Sequence, residues 1–294
     1  MHAHDYLRPA ALGDALAILA ARPMAVLAGG TDFYPARVGR PVDGDILDIT
    51  RVAQLRGVRD EGNLFRIGAT LTWSELIATA LPPQWQAQFA ALRAAAREIG
   101  GVQIQNAGTV AGNLCNASPA ADGIPPLMAL GARVELASQR GLREVPLTEF
   151  ILGNRETLRR ADELVSAVLV PKWRAGTRSV FLKLGHRRYL VISIAMVAVV
   201  LSVDEAARIT LAGVAVGACS AVAQRLTALE ARLVGRPARA AAAAVTVDDL
   251  KHLTPLDDVR GSAQYRLDAV RTLLQRALAQ AAVPADLSGS GAVR

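Results

Sequence analysis

The segment from Asn106 to Asp122 constrains this chain more than any other, because small residues alternate there with Thr, Asn and Ser. It lies within a stretch from Gly100 to Pro126 that is dominated by Gly, Asn, Ser, Thr and Pro. Such a stretch is usually either a functional loop or disordered. Val110 and Leu114 favour a packed loop over a solvent-exposed one. We therefore predict a packed loop that offers many hydrogen-bonding groups, with Asp122 as an acceptor suited to a hydroxyl-bearing ligand.

A second turn of small residues follows the apolar run Met24–Ala28, which is typical of a buried strand. Consecutive Gly29 and Gly30 allow a sharp turn, and their N–H groups can point at an anion with no Cβ in the way. Thr31 adds a hydroxyl donor, so a phosphate or pyrophosphate suits this turn. The alternative is an ordinary strand-to-helix turn. The motif is not a Walker A sequence, and no GxGxxG occurs in the chain.

Composition excludes several classes of protein. The chain has 294 residues, of which 52% are apolar, so it is neither wholly disordered nor a disulfide scaffold. Two cysteines cannot supply the roughly four thiolates of an iron–sulfur cluster, and four scattered histidines without HExxH or CxxC predict no zinc site. The net charge of +7 comes from arginines spread along the chain, so we expect no nucleic-acid partner.

The longest apolar stretch, Leu190–Leu201, is too short for a membrane span, which needs about 20 residues. The residues from Met1 to Pro9 contain no apolar core of a secretory signal. We therefore expect a soluble, cytoplasmic protein with no membrane span.

The hydrophobic pattern predicts the elements of the chain. Helices are expected at 10–21, 72–80, 85–99, 221–234, 236–244 and 262–281. Strands are expected at 24–28, 45–49, 64–69, 132–137, 164–170, 179–184, 190–203 and 209–219. Thr72, three residues before Glu75, predicts a capping box. The segment 172–176 indicates a domain joint, and the three strands and the helices after it predict a small α+β domain.

Two motifs resemble a known family. AGGTD at 28–32 and NAGTVAGNLCNASPAAD at 106–122 resemble the medium, FAD-binding subunit of molybdenum hydroxylases, the xanthine dehydrogenase and carbon monoxide dehydrogenase group. The segments 153–165 and 181–195 also resemble that subunit, and the resemblance extends from Tyr6 to Ala282. The long motif is fairly specific, whereas AGGTD alone is not. The chain departs from the family at Ala111, where glycine is frequent, and near Val191, where an acidic residue is frequent.

The resemblance implies an α+β fold. It consists of a two-part, PCMH-like FAD-binding domain of the molybdenum hydroxylase type and a small C-terminal domain with a three-stranded antiparallel sheet and helices. The FAD-binding domain is expected at 1–172, with two subdomains that separate near 55–60. The C-terminal domain is expected at 177–284, followed by a flexible tail at 285–294.

The resemblance also implies the FAD contacts. The first loop would hold the pyrophosphate through backbone N–H groups, and the second would contact a phosphate and the ribityl chain. Asp122 would bind a ribityl hydroxyl, and Val165 would touch the flavin through its backbone. Lys183 would lie near the isoalloxazine, where a cation stabilises the anionic reduced flavin, although it could equally be an ordinary solvated strand lysine. The implied contacts are Val26, Leu27, Ala28, Gly29, Gly30, Thr31, Asp32, Phe33, Thr109, Val110, Ala111, Gly112, Asn113, Asn116, Asp122, Val165 and Lys183.

The function implied by the resemblance is that of an electron-transfer subunit. Electrons would come from the 2Fe–2S clusters of a small partner subunit, and a large partner subunit would hold the molybdenum cofactor. FAD on this chain would pass them to NAD⁺, oxygen or another acceptor, and no acid–base residue of this chain is required. Two alternatives stay open: a stand-alone flavin- or NAD(P)-dependent oxidoreductase, and a non-catalytic scaffold with the same fold.

Overall fold

A computed structural model of the chain describes residues 4–283. The described residues form two compact units, each made of three segments. The first unit contains residues 4–79, 99–118 and 131–171, and the second contains 80–98, 119–130 and 172–283. The division of the sequence into domains at 172–177 stays a prediction, and the predicted tail at 285–294 lies outside the described residues.

Strands and short helices alternate along the chain. The strands are β1 (Tyr6–Leu7), β2 (Ala25–Leu27), β3 (Ile46–Asp48), β4 (Val58–Asp60), β5 (Leu64–Gly68), β6 (Arg133–Ser138), β7 (Gly141–Pro146), β8 (Ile151–Gly153), β9 (Glu156–Thr157), β10 (Leu164–Pro171), β11 (Arg178–Leu184), β12 (Ala195–Val203), β13 (Ile209–Gly217) and β14 (Gln224–Arg225). The helices are α1 (Leu12–Ala21), α2 (Trp73–Ala78), α3 (Pro83–Gln86), α4 (Ala90–Glu98), α5 (Val102–Ala107), α6 (Val110–Asn116), α7 (Ile124–Ala129), α8 (Leu147–Phe150), α9 (Thr227–Leu233) and α10 (Ala263–Ala282). Short 3₁₀ turns cover Pro35–Arg37, Ala53–Leu55, Ala238–Ala240, Ala242–Ala244 and Val247–Leu250.

The first unit is built on two main sheets. A three-stranded parallel sheet has the order β1-β3-β2, and a five-stranded antiparallel sheet has the order β4-β5-β10-β6-β7. Strand β10 is buried over residues 164–170, which explains its uninterrupted apolar sequence. Its pairing with β6 shifts between Val165 and Ala167, where Ser166 forms a bulge.

The second unit is built on one antiparallel sheet of order β11-β12-β13-β14. Residues 195–202 of β12 are all buried, and α10 packs along β12 and β11. The predicted α+β architecture is confirmed, although this sheet has a fourth short strand beside the three that were expected. No helix within residues 4–283 has the length and apolar character that crossing a membrane demands.

The stretch from Gly100 to Pro126 is the main error in the predicted elements. It was expected to be a loop, yet it contains α5, α6 and the start of α7. Some of the residues that suggested a loop lie at helix ends: Thr109 caps α6, and Pro125 lies within the first turn of α7. In helices of only six or seven residues, cap residues make up a large part of the sequence and interrupt the helical spacing of apolar residues. The hydrophobic pattern therefore did not indicate these helices.

Three other predicted elements have different bounds in the structure. The predicted helix 85–99 is broken between α3 and α4, where the Ser179 hydroxyl donates to the carbonyl groups of Ala87 and Gln88. The predicted strand 190–203 begins only at Ala195. The predicted helix 221–234 begins only at Thr227, because residues 224–225 pair with β13.

The predicted helix 236–244 is also wrong. It is a pair of 3₁₀ turns, Ala238–Ala240 and Ala242–Ala244. Its Ala-rich composition favours an α-helix. However, the amide of Ala238 donates to the carbonyl of Ala207 at 2.8 Å, so the start of this segment is bonded to a distant part of the chain.

Candidate functional site

The first glycine turn leaves the carboxyl edge of the parallel sheet. Strand β2 runs parallel to the central strand β3, and after β2 the chain continues through Ala28 to Gly29 and Gly30. Gly30 has φ +70°, a region that favours glycine. The amide of Tyr34 then donates to the Gly30 carbonyl at 3.1 Å, and the chain enters a 3₁₀ turn. The chain thus passes from a strand through this turn into a short 3₁₀ helix, so the alternative of an ordinary strand-to-helix turn stays open on conformation alone.

Five successive amide N–H groups, from Gly29 to Phe33, have no hydrogen-bond acceptor among residues 4–283. Residues 29–33 are half-buried or exposed, so these five donors are open to solvent or to a ligand. Successive N–H groups in a turn form a concavity that binds anions. This turn has the donors that a phosphate or pyrophosphate group requires.

The two predicted loops lie against each other in the first unit. A Cβ built on Gly29 would be 2.7 Å from the Ala107 carbonyl carbon and 2.9 Å from the Gly108 Cα. A Cβ built on Gly108 would be 3.3 Å from the Thr31 hydroxyl oxygen. The loops therefore meet backbone to backbone, and this approach is possible only because glycine occupies both sides.

The second loop is held in place by bonds to the segment before α2. The Trp73 amide donates to the Gly108 carbonyl at 3.1 Å, and the Val110 amide donates to the Leu71 carbonyl at 3.0 Å. The Thr109 hydroxyl caps α6 by accepting from the Gly112 amide at 2.9 Å. These bonds position the loop. Two of them also occupy the amides of Val110 and Gly112, which lie among the residues implied to contact FAD.

The amides of Thr109 and Ala111 are different, since no acceptor within the described part of the chain pairs with either. The side-chain oxygen of Asn113 is also buried without a partner among the described residues. A buried, unpaired acceptor is costly, so this oxygen is suited to a ligand hydroxyl. Two further implied contacts lie near this part of the second loop. Asn116 ends α6, and Val165 is buried on β10, against which α6 packs.

A buried carboxylate fixes the edge of the sheet from which the first loop leaves. Asp48, only 4% exposed, ends β3. One of its oxygens accepts from the Thr50 amide at 2.8 Å and the Thr50 hydroxyl at 2.6 Å, and the other accepts from the Tyr6 hydroxyl at 2.6 Å. Arg8 adds an ion pair at 3.0 Å. Burial alone would raise the pKa of Asp48, but the bonds from Thr50 and Tyr6 outweigh burial, and the pKa is lowered.

Sequence reasoning missed this network. A local signal was present, because an Asp at the end of an apolar strand, two residues before Thr50, is the pattern of an Asx turn. The partners Tyr6 and Arg8 lie about forty positions away and are brought to Asp48 by the parallel pairing of β1 with β3. That pairing has no local signal.

We expect Tyr6→Phe to lower the free energy of unfolding by about 1 kcal/mol at pH 7, because Asp48 loses a hydrogen bond to its charged form and the Tyr6 ring is half exposed. Folding lowers the pKa of Asp48, so this stabilisation is present above its unfolded pKa, about 3.9, and is lost as the pH falls further. Urea unfolding at pH 7 and pH 3 measures both values. Tyr34→Phe is the control, and an equal loss at both pH values would contradict the assignment.

Asp122 and Lys183 lie together in the second unit. The Lys183 ammonium is 2.7 Å from one Asp122 oxygen, and the Ser193 hydroxyl donates to the other at 2.6 Å. The Lys183 and Asp122 side chains are only 6% and 8% exposed. Burial raises the pKa of Asp122, while Lys183 and Ser193 act against that shift. Lys183 is therefore not the solvated strand lysine that the sequence left open.

Burial dominates the effect of the surroundings on both cysteine thiols. Burial raises the pKa of the Cys115 thiol to about 11 and that of Cys219 to about 12. Thiols with such pKa values are protonated at neutral pH and are poor nucleophiles.

Comparison with known proteins identifies the family. Residues 2–173 match the family described as "FAD binding domain in molybdopterin dehydrogenase", and residues 180–281 match "CO dehydrogenase flavoprotein C-terminal domain". The chain is 31% identical to the carbon monoxide dehydrogenase medium chain of Hydrogenophaga pseudoflava, over 93% of this chain and 95% of that one. It is 32% identical to the nicotinate dehydrogenase FAD-subunit of Eubacterium barkeri, over 86% of each chain.

Solved structures agree with this result. A chain of the reconstituted CO dehydrogenase from Oligotropha carboxidovorans superposes with a TM-score of 0.87 at 27% identity, over 97% of this chain and 99% of that one. The predicted fold, family and cofactor are confirmed. The chain belongs to the FAD-binding medium subunits of the xanthine dehydrogenase and CO dehydrogenase family, and it is an FAD-dependent oxidoreductase subunit of the molybdenum hydroxylase type.

Proposed function

We propose that this subunit transfers electrons within a larger complex. They arrive from 2Fe–2S clusters on a small partner subunit and leave to NAD⁺, oxygen or another acceptor, while a large partner subunit holds the molybdenum cofactor. Relatives that are named as subunits or medium chains support this division. The two cysteines of this chain also cannot ligate such clusters alone. The cytoplasmic location stays a prediction.

The observation that carries the proposal is the run of unpaired amides from Gly29 to Phe33 beside the second loop. In our proposal these amides bind the pyrophosphate of FAD, and Thr31 adds a hydroxyl. The amides of Thr109 and Ala111 extend the donor set, and the buried Asn113 oxygen accepts from a ligand hydroxyl. Bound FAD supplies the redox chemistry, accepting two electrons and releasing them singly or as a pair.

The chain's own residues position the cofactor, and none needs to move a proton. Asp48, Tyr6 and Thr50 fix the edge from which the first loop leaves, so its amides are set before a ligand arrives. Such preorganisation lowers the entropic cost of binding. The flavin contacts proposed for Asp122, Val165 and Lys183 stay predictions.

We expect the purified chain, stripped of flavin and incubated with FAD, to bind one FAD per chain and to quench its fluorescence. FMN, which lacks the pyrophosphate linkage and the adenosine, should bind far more weakly. Fluorescence titration with both flavins measures the difference. A chain that binds neither would be a scaffold that has lost its cofactor. Turnover of an organic substrate by the isolated chain would instead favour a stand-alone oxidoreductase.

A further inference from the structure

The predicted capping box is present at the start of α2. The Thr72 hydroxyl accepts from the Glu75 amide at 3.2 Å, and the Thr72 amide donates to a Glu75 carboxylate oxygen at 2.8 Å. Helix α2 has only six residues, far fewer than the roughly 12 at which an isolated helix becomes stable in water. The conformation of its first turn therefore depends on these bonds and on the contacts that the turn makes.

The same turn determines which amide of the second loop is open. Two backbone hydrogen bonds, at 3.1 and 3.0 Å, join the segments 71–73 and 108–110 and place Thr72 opposite Thr109 in an antiparallel pair. The bonds join the neighbours of the two facing residues, so the N–H groups of the facing residues point away from each other. The Thr72 amide accordingly reaches Glu75. The Thr109 amide points to the opposite side, where no described residue accepts from it.

Side chains of the turn add two further contacts to the second loop. The Ser74 hydroxyl donates to the Asn106 side-chain oxygen at 2.5 Å. The Trp73 side chain is buried, and a Cβ built on Gly108 would lie 3.5 Å from its ring. The turn therefore contacts the loop through main chain, side chain and ring. A rotation that redirected the Thr109 amide would break contacts to this turn.

The alternative is that the capping box stabilises α2 and has no effect on the second loop. Other contacts also hold that loop, since α6 packs on β10 and Gly29 lies against Gly108. However, the Thr72 hydroxyl also donates to the Glu75 carboxylate at 3.1 Å, so three bonds fix the residue that faces Thr109. This concentration of bonds on Thr72 favours a role in positioning the loop.

We propose that Thr72 and Glu75 are positioning residues for the cofactor. The capping box fixes Thr72, and Thr72 fixes the segment that it faces. The Thr109 amide is thereby held in the direction in which it donates to FAD. Neither side chain contacts FAD in this proposal, because both act through the second loop. The inference rests on the proposed function in one respect, namely that the Thr109 amide binds FAD.

The dissociation constant of FAD, measured by fluorescence titration of the full chain, tests the proposal. Thr72→Ala should raise it about fivefold, because a cap residue typically contributes about that factor to an equilibrium and affinity falls with the fraction of chains in the binding conformation. Thr72→Ser should restore the affinity, since serine caps a helix as threonine does. Glu75→Gln removes the charge but keeps an acceptor oxygen, so it should bind FAD as the unmodified chain does.

Thr246→Ala is the matched control. The Thr246 amide and hydroxyl donate to the Asp249 carboxylate at 2.8 and 3.0 Å in a second capping box, in a part of the chain to which no FAD contact is assigned. This variant should leave the dissociation constant of FAD unchanged. Urea unfolding of the flavin-free chains checks that Thr72→Ala and Thr246→Ala both fold.

Hydrogen exchange of the flavin-free chain gives a second measurement that does not depend on FAD. The Val110 amide donates to the Leu71 carbonyl, so its exchange reports whether the two segments stay paired. We expect faster exchange at Val110 in Thr72→Ala and the unmodified rate in Thr246→Ala. If the unmodified chain bound no FAD while exchange still rose in Thr72→Ala, the proposed function would fail and the link between Thr72 and the second loop would be supported.

Three results would overturn the proposal: an unchanged FAD affinity in folded Thr72→Ala, equal weakening in Thr246→Ala, or unchanged exchange at Val110 in Thr72→Ala. Glu75→Ala completes the test, because it removes both the charge and the acceptor oxygen. If Glu75→Ala and Glu75→Gln changed the FAD affinity equally, Glu75 would act through its charge alone, and the capping box would have no part in binding.

Discussion

Gly29→Ala is expected to weaken FAD binding by about 100-fold or more. The new Cβ would lie 2.7 Å from the Ala107 carbonyl carbon and 2.9 Å from the Gly108 Cα, and neither is the end of a flexible side chain. The two loops must separate, which costs about 1–3 kcal/mol of stability. Separation also moves the amides from Gly29 to Phe33 away from each other. Loss of two charge-assisted hydrogen bonds, each worth about 1.5–3 kcal/mol, accounts for the expected loss of affinity.

The measurement is the dissociation constant of FAD, together with the free energy of unfolding without flavin. Gly13→Ala is the matched control, because a Cβ at Gly13 meets no atom within 4 Å. Gly30→Val should act like Gly29→Ala, since Gly30 has φ +70° and its Cβ would lie 2.8 Å from the Tyr34 ring. A folded Gly29→Ala protein that kept its FAD affinity would exclude the first loop from the FAD site.

The first loop was predictable because its binding groups are main-chain atoms. Whether an amide of Gly29 or Gly30 is open depends on the absence of Cβ atoms and on a strand that ends there, and both are visible in the sequence. The second loop shows the limit of such reasoning. Its amide at Val110 is occupied by the carbonyl of Leu71, almost forty positions earlier, and no local pattern indicates that bond.

The sequence indicated which polar residue belongs to the site, but it did not indicate the side chains that this residue would contact. Asp122 was identified as a carboxylate in a packed loop, yet its partners Lys183 and Ser193 are 61 and 71 positions away. Asp48 was overlooked because the segment 45–49 was interpreted only as a short strand. The Asp48 contacts follow from the pairing of β1 with β3, and the Asp122 contacts bring the segment before α7 to β11 and to the segment before β12; one sequence specifies neither arrangement. The left-handed backbone of Leu190, at φ +51°, is another feature that the sequence did not indicate, and the Arg187 guanidinium donates to its carbonyl.

Lys183→Met is expected to destabilise the second unit by about 3–5 kcal/mol, the cost of leaving one member of a buried ion pair uncompensated. The methionine fills the volume of the lysine stem, but the Asp122 carboxylate then keeps only the Ser193 hydroxyl among the bonds described for it. Lys183→Met/Asp122→Asn should recover much of the loss, because the amide is uncharged and its oxygen still accepts from Ser193. Urea unfolding of the flavin-free chain measures both variants.

Lys251→Met provides the comparison with an exposed pair. Lys251 and Asp248 lie 2.7 Å apart, but their side chains are 72% and 77% exposed, so solvent screens their attraction and its loss should change stability little. The contrast isolates burial, since each variant removes one ammonium from a carboxylate at the same distance. If Lys183→Met proved as mild as Lys251→Met, the Asp122 carboxylate would have to be hydrated or protonated in the folded chain. Its predicted role as a fixed acceptor for a ribityl hydroxyl would then be lost as well.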